Sequence, residues 1–292
     1  VARQPDMRVA GVAKQSADLD AVMATDRGFD VFLPAGDTQE SVEADTAAVT
    51  GDVTDLIARS DVIVDATPSG VGESYVAEYR RQETPAILQG GERAGAVEAS
   101  VTGTCNVTAA GPADVVRVVS CNTTGLARTL APLAERFGIE HVNATLIRRG
   151  GDPDQPDRGP IDDIVLDPLS IPSHHADDVA AVLPEISIDT MAVRVPCTRM
   201  HVHALRIDLE EVPALDAVRR CLGADPRIYL VPEDQGPATA GGLVTLGEEL
   251  LRPRGDLWET CIWAGALSRR SHGILLYQAV DQRAVVVPEN ID

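Results

Sequence analysis

The stretch from residue 115 to residue 137 has the pattern of a strand that runs directly into a helix, and this junction restricts the choice of fold more than any other feature. Residues 115–119 are β-branched except for Arg117, as expected of a buried strand. The apolar residues that follow recur at helical spacing, namely Leu126, Leu130, Leu133, Ala134 and Phe137. A buried strand that feeds an amphipathic helix indicates an α/β architecture.

Strands and helices also alternate before this junction. The apolar pattern predicts strands at 7–13, 30–33, 61–66 and 85–88, with helices around 19–23, at 52–59 and at 75–81. Short connections between such elements favour a Rossmann-like, doubly wound parallel sheet, which binds ligands at the carboxyl ends of its strands. Glycine-bearing loops at 67–72 and 89–91 follow two of these ends. The GxGxxG turn that usually holds a dinucleotide does not occur between a predicted strand and helix.

Beyond the junction the pattern changes. Strands are predicted at 142–148, 186–195, 200–209, 227–231, 257–263 and 273–278, and helices at 213–222 and 238–251. These elements predict an α+β domain with an antiparallel sheet. Within 200–209 the alternation places His201 and His203 on the same face. Each of these histidines is either functional or a core residue satisfied by a hydrogen bond.

Cys121 stands at the junction itself. With Asn122 or Thr123 as the N-cap, its sulfur would lie beside unpaired backbone N–H groups and the positive end of the helix dipole. This setting favours a thiolate and supplies donors for the oxyanion that forms when sulfur attacks a carbonyl group. The alternative is a small core residue, since free cysteine is among the most buried residue types.

The charge of the chain restricts its partners and surroundings. The formal net charge is −20, from 45 acidic against 25 basic side chains, so neither nucleic acid nor an anionic membrane is an expected partner. Salt relieves such self-repulsion by shortening the screening length to about 3 Å at 1 M, which predicts a salt-rich cytoplasm and fits a halophile. No apolar run reaches the roughly 18–20 residues needed to cross a bilayer. The five cysteines show no paired or CxxC spacing, which indicates a reducing compartment without disulfides or a metal ribbon.

Residues 120–126, Ser-Cys-Asn-Thr-Thr-Gly-Leu, followed by Arg128, resemble the active-site signature of the archaeal-type glyceraldehyde-3-phosphate dehydrogenases. Other matching segments extend over almost the whole chain, at 89–92, 148–149, 172–175, 188–193, 200–203 and 286–290. The resemblance implies that Cys121 is the nucleophile, that His201 is the catalytic acid and base, and that His203 is its less critical neighbour. It implies a phosphorylating enzyme of glycolysis and gluconeogenesis. Such an enzyme oxidises D-glyceraldehyde 3-phosphate with inorganic phosphate and NAD(P) to 1,3-bisphosphoglycerate through a cysteine thioester.

Groups that bind oxyanions are expected around this cysteine. Hydroxyls, helix-start N–H groups and histidines provide six candidates for contacts with phosphate and the oxyanion: Ser120, Asn122, Thr123, Thr124, His174 and His175. The resemblance implies cofactor contacts for four other residues: Lys14, Gly91, Arg149 and Gln282. Lys14 follows the strand at 7–13, where a lysine can pair with the 2′-phosphate of NADP, or it is a solvated surface lysine. NADP or NAD is the expected cofactor.

The resemblance also divides the chain. It implies an NAD(P)-binding domain at 1–120, a catalytic domain at 121–283 and a return to the first domain at 284–292. It places the first strand, the glycine turn and a final helix outside the sequence, so we expect a chain that is truncated at both ends. A cytoplasmic homotetramer is the assembly that the family implies.

Two other functions stay open. Semialdehyde dehydrogenases share the two-domain plan and the cysteine thioester, and a substrate panel separates them from the first interpretation. From another class, the histidines and Cys121 form a structural or regulatory metal site in a non-enzymatic protein, although no HxxxH or CxxC spacing supports this. Metal analysis of the purified protein distinguishes that alternative.

Overall fold

The computed structural model describes residues 1–34, 48–89, 91–111, 113–151, 159–160 and 162–292. The chain divides into two compact units. Unit 1 comprises residues 1–99, 112–117 and 291, and unit 2 comprises residues 100–111, 118–290 and 292. Gly90, in the matching segment 89–92, lies outside the described residues.

Unit 1 alternates short strands with helices. Its strands are β1 (Val12–Ala13), β2 (Val31–Leu33), β3 (Val49–Asp52), β4 (Ile63–Asp65), β5 (Ala86–Leu88), β6 (Ala99–Val101) and β7 (Val115–Val118), of which β6 and β7 have residues in both units. Its helices are α1 (Leu19–Asp26), α2 (Val53–Ala58) and α3 (Val71–Arg81). Asp18 and Asp52 cap α1 and α2, because their carboxylates accept backbone N–H groups in the first turn.

The strands of unit 1 pair in parallel, as predicted. β1, β2 and β3 form one sheet; β4, β5, β7 and β6 form a second sheet in that order. The sequence predicts a single doubly wound sheet, whereas the described residues form two. The strand predicted at 7–13 is confined to Val12–Ala13, because only these two residues pair with β2. Strands β3 and β6 were not predicted, since both are short and interrupted by polar or small residues.

Unit 2 contains the longer elements. Its helices are α4 (Cys121–Phe137), α5 (His175–Ala180), α6 (Leu215–Gly223) and α7 (Ala240–Glu249). Its strands are β8 (Ile139–Arg149), β9 (Val165–Leu166), β10 (Ile188–Val195), β11 (His201–Leu209), β12 (Ile228–Val231), β13 (Thr260–Trp263), β14 (Ser268–Arg269) and β15 (Gly273–Val280). None of the helices within the described ranges is both long enough and apolar enough to span a bilayer.

An eight-stranded sheet forms the base of unit 2. Its order is β12-β13-β15-β11-β8-β10-β9, and β14 pairs with β15 outside this path. The predicted antiparallel arrangement is correct for β11, which is antiparallel to both β8 and β15. It is wrong for β8 with β10 and for β12 with β13, which are parallel. The sheet is mixed, and the sequence did not indicate this because side chains alternate with the same period in strands of either direction.

Helix α4 covers one face of this sheet. Its buried leucines share one apolar cluster with inward-facing residues of β8 and β11; the helix contributes Leu126, Leu130 and Leu133. Burial of each leucine side chain stabilises the fold by about 1.5–3 kcal/mol, so three of them anchor the helix firmly. Pro132 lies inside α4 without dividing it.

Arg128 is a fully buried cation on α4. Its guanidinium pairs with Glu289, and the two side chains are 0% and 1% exposed. The same guanidinium donates to the carbonyls of Trp258 (2.7 Å) and Val285 (2.8 Å), and Glu289 accepts the Gly103 N–H. These bonds hold the segment near the end of the chain against α4, within unit 2. The return of 284–292 to an NAD(P)-binding domain stays a prediction.

Candidate active site

Ser120 immediately precedes helix α4 and caps it. Its hydroxyl accepts a hydrogen bond from the Thr123 N–H (3.3 Å), which makes Ser120 the N-cap. The N-cap predicted at Asn122 or Thr123 is wrong, because both residues already lie inside the helix. Cys121 is consequently the first helical residue, where backbone N–H groups have no acceptor within the helix.

Gly125 allows the N-terminal part of α4 to approach the sheet closely. A Cβ atom added at this position would lie 2.5 Å from the Val280 side chain on β15 and 3.6 Å from the His203 ring on β11. Carbon atoms of real side chains do not approach as closely as 2.5 Å, so a larger residue would push the helix away. The glycine of the signature segment therefore sets the height of Cys121 above β11 and β15.

Opposing influences act on the half-buried Cys121 thiol. Burial is the largest and raises the pKa of the thiol, whereas the charge of Arg148, the Asn122 backbone N–H and the charge of Arg149 lower it. The pKa of Cys121 is raised on balance, so the thiolate that the helix start was expected to favour is outweighed by burial. The resting group is the thiol, and a base must remove its proton before the sulfur can attack.

His201 begins β11 and is buried, at 3% exposure. The Arg149 backbone N–H donates to its Nδ1 atom (3.1 Å), which fixes the proton of the neutral ring on Nε2. Burial is the main cause that holds the pKa of His201 well below its usual value, followed by the neighbouring basic groups of His203, Arg148 and Arg149. The arginines that act on Cys121 thus also act on His201, and both groups lie within the field of the same two cations.

A chain of buried polar side chains continues inward from the start of α4. Asn122 Oδ1 lies 3.0 Å from His203 Nε2, and Asn122 Nδ2 lies 3.4 Å from His175 Nε2. His203 further contacts Gln278 (3.0 Å), and His175 contacts Ser173 (3.0 Å). Burial is the main cause that lowers the pKa of His203 to about 3 and that of His175 to about 2, so both rings are neutral near pH 7.

The six predicted substrate contacts occupy different environments. Ser120 is half-buried and His174 is exposed, with its ring 4.0 Å from that of His175. The other four side chains are buried in internal hydrogen bonds: Asn122, Thr123, Thr124 and His175. Contact of all six with substrate stays a prediction.

Two of the predicted cofactor residues lie in unit 1. Lys14 follows β1 and pairs with Asp20 (3.0 Å) at the surface. Gly91 follows β5 with a φ of +86°, and the space beside its Cα is open, with the Ser69 Cβ 4.0 Å from an added Cβ atom. A backbone without a side chain in this conformation allows a ligand to approach closely.

The other two predicted cofactor residues lie in unit 2. Arg149 donates to the Gly151 carbonyl (2.6 Å). Gln282 accepts the Met200 N–H (2.8 Å) and donates to the Thr198 carbonyl (3.2 Å), so its amide orders the turn that precedes β11. Across the described ranges, no group of three or more His, Cys, Asp or Glu side chains is arranged to hold a metal ion.

Several residues near Cys121 were missed by the site prediction. Arg148 acts on the Cys121 thiol, and Gln278, Ser173 and Thr190 extend the buried polar chain. Gln278 had a recognisable signal, because it is the one polar side chain among the inward-facing positions of an otherwise apolar strand. Ser173 and Thr190 have no such signal, since hydroxyl side chains are common at loops and strands.

Comparisons with known proteins agree with the signature at α4. Residues 120–236 match the family model described as glyceraldehyde 3-phosphate dehydrogenase, C-terminal domain. A structural comparison gives a TM-score of 0.70 with a probable aspartate-semialdehyde dehydrogenase from Pseudomonas aeruginosa, at 17% identity and over 96% of this chain and 95% of that one. At this identity the likeness concerns the fold alone, which is a Rossmann-like domain joined to a catalytic domain.

Sequence relatives are much closer. The chain is 49% identical to glyceraldehyde-3-phosphate dehydrogenase of Halobacterium salinarum, over the whole of this chain and 87% of that protein. It is 48% identical to glyceraldehyde-3-phosphate dehydrogenase of Haloarcula marismortui, over 99% of this chain and 81% of that protein. The chain belongs to the glyceraldehyde-3-phosphate dehydrogenase family.

Proposed function

We propose that this protein is an NAD(P)-dependent, phosphorylating glyceraldehyde-3-phosphate dehydrogenase. The observation that carries the proposal is the placement of Cys121 at the open start of α4, within the field of Arg148 and Arg149 that also acts on buried His201. The substrate is D-glyceraldehyde 3-phosphate, and inorganic phosphate accepts the acyl group from the thioester. The family relationship at 49% identity supports the choice of substrate.

The reaction begins with proton transfer from Cys121. In the resting ring the lone pair of His201 lies on Nδ1, so the bond from the Arg149 N–H must open before Nδ1 takes the thiol proton. The thiolate then adds to the aldehyde carbon to form a hemithioacetal. Protonation on Nδ1 removes the acceptor of the Arg149 N–H, and the low pKa of His201 makes the imidazolium a good acid. It therefore returns the proton readily to the substrate oxygen, which helix-start N–H groups also stabilise as charge develops.

His201 acts a second time when the thioester forms. It accepts the hydroxyl proton of the hemithioacetal as the carbonyl is restored. When bound, the nicotinamide ring of NAD or NADP accepts the hydride that leaves the same carbon. Inorganic phosphate then attacks the thioester carbonyl, and the carbon–sulfur bond to Cys121 breaks. The product 1,3-bisphosphoglycerate leaves, and the Cys121 sulfur remains as a thiolate.

The chain supplies residues that fit a dinucleotide and phosphate groups. Lys14 and Gly91 each follow the carboxyl end of a parallel strand, where such sheets bind ligands. The Lys14 cation suits a 2′-phosphate, and the open side of Gly91 suits close backbone approach. Ser120 and exposed His174 are the predicted phosphate contacts that reach solvent in unit 2.

Related semialdehyde dehydrogenases are the enzymatic alternative. Their likeness to this chain is a shared fold at 17% identity, which does not favour their substrate over that of relatives at 49% identity. The proposal further places the enzyme in the cytoplasm as a homotetramer that serves glycolysis and gluconeogenesis, because the family and the acidic, disulfide-poor composition support that setting.

A substrate panel at high salt tests the proposal. Reduction of NAD or NADP should require both glyceraldehyde 3-phosphate and inorganic phosphate, and aspartate semialdehyde should replace the first substrate poorly. Substitution of His201→Asn should lower kcat by about 10²- to 10⁴-fold, the usual contribution of a positioned acid–base group. Faster turnover of the semialdehyde, or a larger loss in His203→Asn than in His201→Asn, would refute the assignment.

A further inference from the structure

Gln278 is a wholly buried amide on β15 that has no part in the reaction as described. Its Oε1 atom accepts the Thr129 hydroxyl (2.6 Å), and its Nε2 atom donates to the Gly125 carbonyl (2.9 Å). Both partners belong to α4, so this one side chain attaches the strand to the helix that carries Cys121. Its Nε2 atom also lies 3.0 Å from His203 Nδ1.

The Gly125 carbonyl fixes the direction of the hydrogen bonds that lead away from Gln278. A backbone carbonyl only accepts, so the Gln278 nitrogen must face it, and the second N–H of that nitrogen donates to His203 Nδ1. Neutral His203 then carries its proton on Nε2. That proton is donated to Asn122 Oδ1 (3.0 Å).

The other end of this series of hydrogen bonds, at Ser173 and Thr190, fixes the same direction independently. The Thr190 hydroxyl donates to the Ser173 carbonyl (3.0 Å), so the Ser173 hydroxyl must donate to Thr190 (2.7 Å). Ser173 can then only accept from His175 Nδ1 (3.0 Å), which leaves His175 Nε2 as an acceptor. The group that faces it is Asn122 Nδ2, a donor, at 3.4 Å.

The two directions meet without conflict at Asn122. Its amide has one acceptor atom and one donor atom, and the neighbouring rings require that order. His203 and His175 therefore hold opposite tautomers, with the proton on Nε2 in His203 and on Nδ1 in His175. The chain joins seven side chains: Thr129, Gln278, His203, Asn122, His175, Ser173 and Thr190.

We propose that Gln278 is a positioning residue, which sets this order of donors and acceptors and thereby holds Asn122 in the orientation that serves Cys121. The backbone N–H of Asn122 acts on the Cys121 sulfur, and its side chain is clamped between the two rings. The consequence for turnover rests on the proposed function. The low pKa values of both rings, about 3 and about 2, keep them neutral and so preserve the order across neutral pH.

Substitution of Gln278→Glu replaces the donor nitrogen of the side chain by an acceptor oxygen while preserving the shape of the side chain. The carboxylate still accepts from Thr129, but its other oxygen faces the Gly125 carbonyl and the lone pair of His203 Nδ1. The contact between this oxygen and His203 becomes favourable only when His203 carries a proton on Nδ1. We therefore expect the order to change as far as Asn122, and a misplaced Cys121 to lower kcat by about 10-fold to 10²-fold, since small displacements at a reacting group have this effect.

The tautomers can be read directly from the six histidines of the free protein. We would record the ¹⁵N resonances of the imidazole rings in full-length protein at high salt and neutral pH, and assign the buried pair with His203→Gln and His175→Gln. The expected result is a neutral His203 protonated on Nε2 and a neutral His175 protonated on Nδ1. Equal tautomers in the two rings, or the reverse order, would overturn the proposal.

Substitutions test whether this order of hydrogen-bond donors and acceptors affects turnover. Gln278→Glu should move the His203 resonances to the form protonated on Nδ1 and lower kcat, with the KM for glyceraldehyde 3-phosphate within about twofold of the parent value. Gln82→Glu is the matched control, because Gln82 ends α3 in unit 1 and forms no hydrogen bond with the seven connected side chains. It should change neither the buried resonances nor kcat.

Two substitutions of His203 keep the proposal testable if the buried carboxylate prevents folding. Glutamine can donate from the position of Nε2 to Asn122, whereas asparagine reaches only the position of Nδ1. His203→Gln should therefore retain at least about tenfold more kcat than His203→Asn. Equal losses, or unchanged resonances and kcat in Gln278→Glu, would contradict the positioning role. The spectra need no substrate, so failure of the proposed function would appear as absent turnover with the predicted tautomers in place.

Discussion

Cys121 combines a position at the start of its helix with a half-buried side chain. At the first residue of α4 it faces free backbone N–H groups, which stabilise a thiolate, but burial disfavours the charged form more strongly. Arg148 and Arg149 offset part of that effect. The nucleophile is therefore stored as a thiol and depends on His201 for activation, which limits unwanted reaction of the sulfur between turnovers.

This balance predicts the pH dependence of alkylation at Cys121. Because burial raises the pKa of a thiol, the thiolate fraction should keep increasing above the ordinary thiol pKa of about 8.5. Iodoacetamide labelling of the Cys121 peptide, followed by mass spectrometry between about pH 6 and pH 11, measures the midpoint. A midpoint below about pH 7 would mean that the helix start and the arginines outweigh burial.

At the scale of elements, the contact between α4 and β15 determines where the nucleophile lies. It depends on the missing Cβ of Gly125 and on the bonds of Gln278 to Gly125 and Thr129 of the helix. A helix held by three buried leucines farther along cannot tilt freely to accept a larger residue here.

Substitution of Gly125→Ala should therefore destabilise the fold and slow turnover. We expect the free energy of unfolding to fall by about 1–3 kcal/mol, because the added Cβ would lie 2.5 Å from Val280. Denaturant unfolding measures the loss, and a second substitution, Val280→Ala, should restore part of it. Gly241→Ala in α7 is the control, since an added Cβ there meets no atom within 4 Å and should stabilise by about 0.5–1 kcal/mol. Equal effects at the two glycines would argue against the close approach.

The sequence predicted most elements of unit 2 because their apolar periods are long and regular. It predicted α4, β10 and β11 to within two or three residues, and the same-face placement of His201 and His203 is confirmed by their burial. Strand direction was partly wrong, since alternation does not encode it. The start of the site was readable as one continuous segment at 120–126. Gln278 was recognisable only as a polar side chain on an apolar strand, and its partners on α4 lie more than 100 residues away, so the sequence did not show what it contacts.

At the scale of the whole molecule, two kinds of charge have opposite consequences. The buried pair of Arg128 and Glu289 is neutral as a unit and fully satisfied, so it connects segments that are far apart in sequence. Over the whole chain the 45 acidic side chains outnumber the 25 basic ones, which leaves a net charge of −20 even though several surface carboxylates pair with arginine or lysine. Relatives from halophilic archaea fit a protein that uses salt to screen that excess.

Removing one partner of the buried pair should be costly. Arg128→Met leaves the Glu289 carboxylate uncompensated, and we expect the free energy of unfolding to decrease by about 3–5 kcal/mol. The double variant Arg128→Met with Glu289→Gln should recover a substantial part of this loss, because the remaining amide is neutral and can still accept the Gly103 N–H. Urea unfolding of the parent, the single variant and the double variant provides the comparison. A double variant no more stable than the single one would show that the charge is not the cause.

The acidic surface predicts that the fold requires salt. Screening lengths increase from about 3 Å at 1 M to about 10 Å at 0.1 M, so repulsion among carboxylates should extend between neighbours at low salt. Circular dichroism should show loss of structure when KCl is lowered from about 3 M to about 0.1 M, and divalent cations should partly replace potassium. An unchanged spectrum over this range would contradict the prediction.

The most direct test of the central claim is to trap the thioester on Cys121. The protein is mixed at high salt with glyceraldehyde 3-phosphate and NAD or NADP in the absence of phosphate, quenched in acid and digested, and its five cysteine peptides are analysed by mass spectrometry. We predict a 3-phosphoglyceryl adduct on the Cys121 peptide, absent in Cys121→Ser and discharged to 1,3-bisphosphoglycerate when inorganic phosphate is added. Cofactor reduction without an adduct on Cys121, or an adduct on another cysteine that phosphate discharges, would contradict the account.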